Sequence, residues 1–181
     1  GLTIVIKQYN TYQEHLEAVK QFSEAFKQVP EELKTPEMCY TAVKAYGKVF
    51  EFVPEELKTS KFCEFAVSRD GRAFKFVPEE FKTAEMSNMA VRKGASLAYV
   101  PDKFKTLEIC KIAVEETGWA LEFVPEEFKT YDMCLNAFKE INSVLEFVPE
   151  KYKTQELCEV AVTKNGCALE NVPLELKTYE L

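Results

Sequence analysis

A Val-Pro dipeptide recurs along this chain at Pro30, Pro54, Pro78, Pro101, Pro125, Pro149 and Pro173, spaced by 24, 24, 23, 24, 24 and 24 residues. Seven of the eight prolines obey this one rule. A Thr keeps the same register at Thr11, Thr35, Thr59, Thr83, Thr106, Thr130, Thr154 and Thr178, and from the second onward each follows a Lys. The single short spacing comes from a residue missing just before Gly94. A fixed period of this length makes each unit one supersecondary element that cannot bury its apolar face alone and must stack on its neighbours.

One unit reads T-x-E-M-C-x-x-A-V-x-x-x-G-x-A-L-E-F-V-P-E-E-F-K. The Thr is a good N-cap, and Glu37, Glu85 and Glu156 fall in the first helical turn, where the helix dipole favours acids. Pro36 suits the first helical position. Met38, Ala42, Val43 and Tyr46 make an apolar stripe at helical spacing. Gly47, Gly71, Gly94, Gly118 and Gly166 sit where a left-handed C-terminal residue is expected. The pattern therefore predicts a first helix of about eleven residues, then a shorter one (Val49 to Phe52 in the second unit). Val-Pro stops the second helix, because the residue before proline is pushed out of helical geometry. Pro54 to Lys58 reads as a further helical turn opened by Pro, with a Glu55–Lys58 pair at i, i+3. A leucine-rich strand signature is missing. The expected fold is all-α: an α-solenoid, a superhelical array of about seven 24-residue units, each with one longer helix, one short helix and one helical turn.

The domain reading follows the register. Residues 1–10 align as a degenerate half-repeat, with Ile6 in the Pro position and Asn10 in the Lys position. Residues 11–181 form the array, and Thr178 to Leu181 match the start of a further unit. Both ends read as cuts through a longer array, leaving apolar end faces open to self-association.

The box V-P-E-E-L-K-T, followed by x-E-M-C-x-x-A-V and G-x-A-L-E-F, resembles a bacterial family of short helical repeats that is known only as a domain of unknown function. The resemblance covers about residues 11–181. It implies a bacterial origin and a tandem helical array, and it brings no activity, cofactor or catalytic residue with it. In period and helix content the units are also similar to the leucine-rich repeat variant, which pairs an α-helix with a 3₁₀ helix.

Six cysteines invite a disulfide or metal reading, but Cys39, Cys63, Cys110, Cys134 and Cys158 occupy one column, which Ser87 and His15 fill elsewhere. Equivalent atoms on stacked helices lie about 8–10 Å apart. A disulfide needs α-carbons within about 7 Å, and zinc needs sulfurs about 2.3 Å from one ion. The column is expected to be small buried thiols, with no bound metal, and Cys167 stands outside it. Unpaired thiols favour the cytoplasm or another reducing compartment. His15 is the only histidine and sits in this packing column, and the chain carries no glycine-rich phosphate loop, H-E-x-x-H or C-x-x-C. The carboxylates recur in rows, as on a solvated face. The expectation is a protein without catalysis or cofactor.

Charge narrows the partners. Lys plus Arg is 23 and Asp plus Glu is 30, a net −7. Nucleic acid and anionic membrane want a basic face. No apolar run approaches the ~18 residues of a membrane span. Lys34, Lys58, Lys82, Lys105, Lys129, Lys153 and Lys177 form an unbroken row, with acids three residues earlier from Glu31 to Glu150. This row reads either as a comb for a charged ligand or as local pairing, each Lys capping its turn and laying its stem over Leu57 or Phe81. Binding specificity is expected in the columns that vary. These place Leu107 and Tyr131 after the cap Thr, Trp119 after the Gly, and Tyr40 and Leu135 after the Cys. Trp119 with Leu107, Tyr131 and Leu135 is the candidate partner-binding patch. The functional expectation is a helical-repeat scaffold for a protein or peptide. A rigid spacer for other domains is the first alternative, and single-stranded nucleic-acid binding the second, which the charge disfavours.

Overall fold

The computed structural model describes residues 11–140 and 144–177. The half-repeat over residues 1–10 and the restart over 178–181 lie outside them. Every described residue in regular structure is helical. The chain is an all-α repeat array carrying α1 (Tyr12–Gln21), α2 (Pro36–Ala45), α3 (Ser60–Arg69), α4 (Ala84–Arg92), α5 (Leu107–Glu116), α6 (Tyr131–Glu140) and α7 (Gln155–Lys164). Two compact units divide it, Gly1–Lys82 and Thr83–Leu181. In the first, α2 packs between α1 and α3; in the second, α4 to α7 pack in sequence.

Each α-helix starts where the sequence predicts. The Thr side chain accepts a hydrogen bond from the third helical N–H, as Thr35 does from Met38 and Thr154 from Leu157, both at 3.3 Å. Thr11 and Glu14 complete a capping box. The second and third elements are 3₁₀ rather than α. In the second repeat they are Gly47–Phe52 and Glu55–Leu57. Only six residues separate the helix cap Tyr46 from Val53, which Pro54 holds extended at ψ 130°. So short a segment closes i→i+3 hydrogen bonds more readily than a full α-turn. Pro54 is itself extended, at ψ 140°, and caps the last turn instead of opening it.

The glycines differ from expectation. α1, α2, α3, α5 and α7 end on an extended residue, such as Tyr46 at φ −148° and Thr117 at φ −154°. Gly47 and Gly118 then begin the 3₁₀ segments. A Cβ on Gly47 would collide with the Asp70 Cβ, and one on Gly118 with the Ala137 carbonyl oxygen, so these two are needed for close approach of the following repeat. Among the described residues only Gly94 is left-handed, at φ 87°. It lies in the repeat that is one residue short. There the Ala95 N–H bonds the Ala90 carbonyl and the Gly94 N–H bonds that of Val91, a Schellman ending that closes the helix in fewer residues.

The core of each unit is columnar: Phe26, Phe50 and Phe74 in the first and Leu97, Leu121 and Leu145 in the second are at most 1% exposed. The helices cover them with Met38, Ala42 and Val43, all buried, and the Ala42 position is buried in each of the seven helices.

Candidate functional site

The lysine row is built into the repeats. Lys34, Lys58, Lys105, Lys129 and Lys153 reach the acid three residues earlier at 2.5–2.7 Å, and Lys82 pairs with Glu79 in the same way. The Lys34 side chain is 4% exposed while its partner Glu31 is 70% exposed. The ammonium groups of Lys34, Lys58 and Lys82 lie 5.1–5.4 Å from the centres of the Phe26, Phe50 and Phe74 rings. Those core rings face the ammonium. Lys34 Nζ also donates to the Phe52 carbonyl at 2.9 Å, and Lys129 Nζ to that of Phe147 at 2.8 Å, each in the next repeat. What the row shows to solvent is its carboxylates. Lys177 departs from the pattern: Leu174 stands where the acid would be, and both are exposed.

The cysteine column is inert in the same sense. Cys39, Cys63, Cys110, Cys134 and Cys158 are 0% exposed, and Ser87 replaces them with its hydroxyl donating to the Thr83 carbonyl at 2.7 Å. His15 is also buried in this column. Burial pushes the thiols of Cys39, Cys63, Cys110 and Cys134 up to about 11, with the nearby lysines opposing only in part. Such thiols stay protonated and unreactive at neutral pH. Cys167 is exposed, and all six are free.

The variable columns supply the surface. Trp119 is 44% exposed, Tyr40 47%, Leu107 38% and Leu135 36%. They fall on different elements. Trp119, on the Gly118–Phe123 segment, meets Phe147 edge to face at 6.1 Å between centres, whereas Tyr131, at the start of α6, meets Tyr152 at 6.2 Å. Leu107 opens α5 and Leu135 lies on α6.

Tyr40 lies in a more developed setting. Its ring stacks on Phe65 of α3, with centres 4.5 Å apart and planes 19° from parallel. Phe65 stacks in turn near Phe62, which meets the core ring Phe50 edge to face. These rings, with Pro36 and Leu57, line an apolar groove of about 350 Å³ between α2 and α3, rimmed by Glu56 and Lys61. A second groove, of about 240 Å³, lies between α5 and α6 and is lined by Lys111, Val114, Glu115, Thr130, Asp132, Met133 and Asn136. Five positions are equivalent in the repeat: Tyr40 and Lys111, Thr59 and Thr130, Lys61 and Asp132, Phe62 and Met133, Phe65 and Asn136. The two grooves thus occupy one position of the repeat and differ in their lining. Sequence reading found Tyr40 but missed Phe62 and Phe65, because the groove pairs one column of a repeat with a different column of the next. The usable signal is Tyr40 and Phe65 coinciding one period plus one residue apart.

Among the described residues no helix is long and apolar enough to cross a membrane, and no three His, Cys, Asp or Glu side chains are grouped to hold a metal ion. A family model described as a domain of unknown function (DUF4116) matches twice, over residues 15–58 and 85–129. Each match spans close to two repeats and ends on a lysine of the row. Comparison with curated proteins gives no match, and neither does comparison with solved structures.

Proposed function

We propose that this array, matched twice by the model of a domain of unknown function, is a non-catalytic scaffold that binds protein or peptide segments in the grooves between its α-helices. The α2–α3 groove supports this reading most. It offers a stacked Tyr40–Phe65 pair, half-open to solvent, in a concave apolar site whose walls are held by Thr caps and buried lysines. Apolar area removed from water contributes about 25 cal/mol per Å². Anchors that dominate binding are commonly aromatic side chains filling such pockets. The column thiols beside it are buried and protonated, which supports recognition rather than thiol chemistry as the role of the groove.

Selection of a random peptide library on the full chain tests this, with fluorescence polarisation of the retained peptides. Tyr40→Ala and Phe65→Ala are each expected to weaken binding at least tenfold at unchanged helicity. If Trp119→Ala weakens it instead, the Trp119–Phe147 surface is the site. A chain that retains no peptide favours the alternative role of a rigid arm between other domains.

A further inference from the structure

We infer that the α5–α6 groove receives the guanidinium of an arginine side chain from a basic peptide partner. The inference rests on the reading that these grooves bind peptides, and it names the chemistry of one of them. The argument comes from the neighbouring groove in the same unit. There Arg92, nine positions after the cap Thr83 of α4, donates through Nε to Asn88 at 2.9 Å and through its terminal nitrogen to Glu108 at the start of α5. A guanidinium thus already bridges two consecutive helices of this array.

One repeat later the carboxylate is kept and the guanidinium is lost. Asp132 stands at the position of Glu108, Glu115 replaces Arg92 and Lys111 replaces Asn88. Two like charges cannot bridge, and the groove between them stays open. Among the described residues Lys111, Glu115, Asp132 and Asn136 have no ion-pair or hydrogen-bond partner for their side chains. In repeats two and three the same two positions hold Lys44 and Lys61, again like charges beside an open groove. An incoming arginine would set its planar fork between Asp132 and Glu115, as Arg92 does on Glu108, and lay its stem on Met133. The wider field agrees. Thr83–Leu181 holds 11 basic and 17 acidic residues, a net −6 of the chain's −7, so this unit attracts cationic segments.

The probe is N-acetyl-arginine amide, titrated into the isotopically labelled full chain and followed by amide chemical shifts. Saturable shifts are expected at Asp132, Met133 and Asn136, with binding at least fivefold weaker for N-acetyl-citrulline amide, the neutral near-isostere. Asp132→Asn is expected to weaken binding at least fivefold as well. The double variant Lys111→Asn, Glu115→Arg should rebuild the Asn88–Arg92–Glu108 arrangement with Asp132, abolishing the shifts and raising the melting temperature. Shifts of equal size with citrulline amide, shifts that survive Asp132→Asn, or none in this groove would each overturn the inference. Library peptides that still bind through Tyr40 and Phe65 in that event leave the scaffold reading standing. A groove that takes the arginine amide in a chain retaining no peptide overturns the scaffold reading instead.

Discussion

At the scale of single residues, the row lysines show how little a surface charge pattern says about surface charge. Lys34, Lys58, Lys82 and Lys129 each set the ammonium against a core ring or the next repeat's backbone, while the carboxylate partner lies in solvent. An exposed ion pair is worth about 0–1 kcal/mol, whereas orphaning a buried carbonyl costs about 1–3 kcal/mol. We therefore expect Lys129→Met, which strips the Phe147 carbonyl of its donor, to destabilise by about 2 kcal/mol. Glu126→Gln is expected to cost about 1 kcal/mol or less, and urea unfolding compares the two. The cysteines make a second prediction. A thiol-specific dye should label Cys167 rapidly in the native chain and the other five only on unfolding. The column thiols sit at about 11 when folded against an ordinary 9.0. The unfolded chain therefore releases these protons first. Their contribution is intact below pH 9 and is lost as pH rises toward 11. Urea midpoints should fall across that window, and less steeply for a Cys110→Ala, Cys134→Ala double variant.

At the scale of the element, one recurring residue type serves three purposes. Gly94 needs a left-handed backbone, Gly118 needs no Cβ beside the Ala137 carbonyl, and Gly166 has nothing within 4 Å of a Cβ built on it. Gly118→Ala should therefore cost about 1–3 kcal/mol through overpacking, and Gly94→Ala about 1 kcal/mol through backbone strain. Gly166→Ala should be neutral or stabilise by about 0.5 kcal/mol, since it removes freedom only from the unfolded chain. Thermal melts of the three variants give the ranking. The α-helix starts were legible because a Thr cap and its third N–H are three residues apart, and the Val-Pro stops because proline acts on its own neighbour. The helix ends were misread, since the reason for glycine there lies in the following repeat.

At the scale of the whole molecule, repeats that touch only their neighbours unfold as coupled local units. The columnar core indicates where coupling is weakest: Leu169 is 37% exposed, while its equivalents Leu121 and Leu145 are at most 1%. Hydrogen exchange should accordingly be faster in α7 than in α5. Equal protection in the two helices would mean that core coverage does not set local stability here. Charge is uneven at this scale too, with all but one unit of the net −7 in Thr83–Leu181.

The period, the all-α class, the helix starts and the buried Cys and apolar columns followed from sequence alone. Each depends on residues within one helical turn of each other, or on one position repeated at a fixed interval. Tertiary structure decided where the lysines point, why Gly47 and Gly118 are glycine, and which aromatic residues share a groove. Those outcomes are set by meetings across repeats: Lys34 with the Phe52 carbonyl, Gly118 with Ala137, Tyr40 with Phe65. A column read down the repeats compares like positions with like, and stacked helices bring unlike positions together.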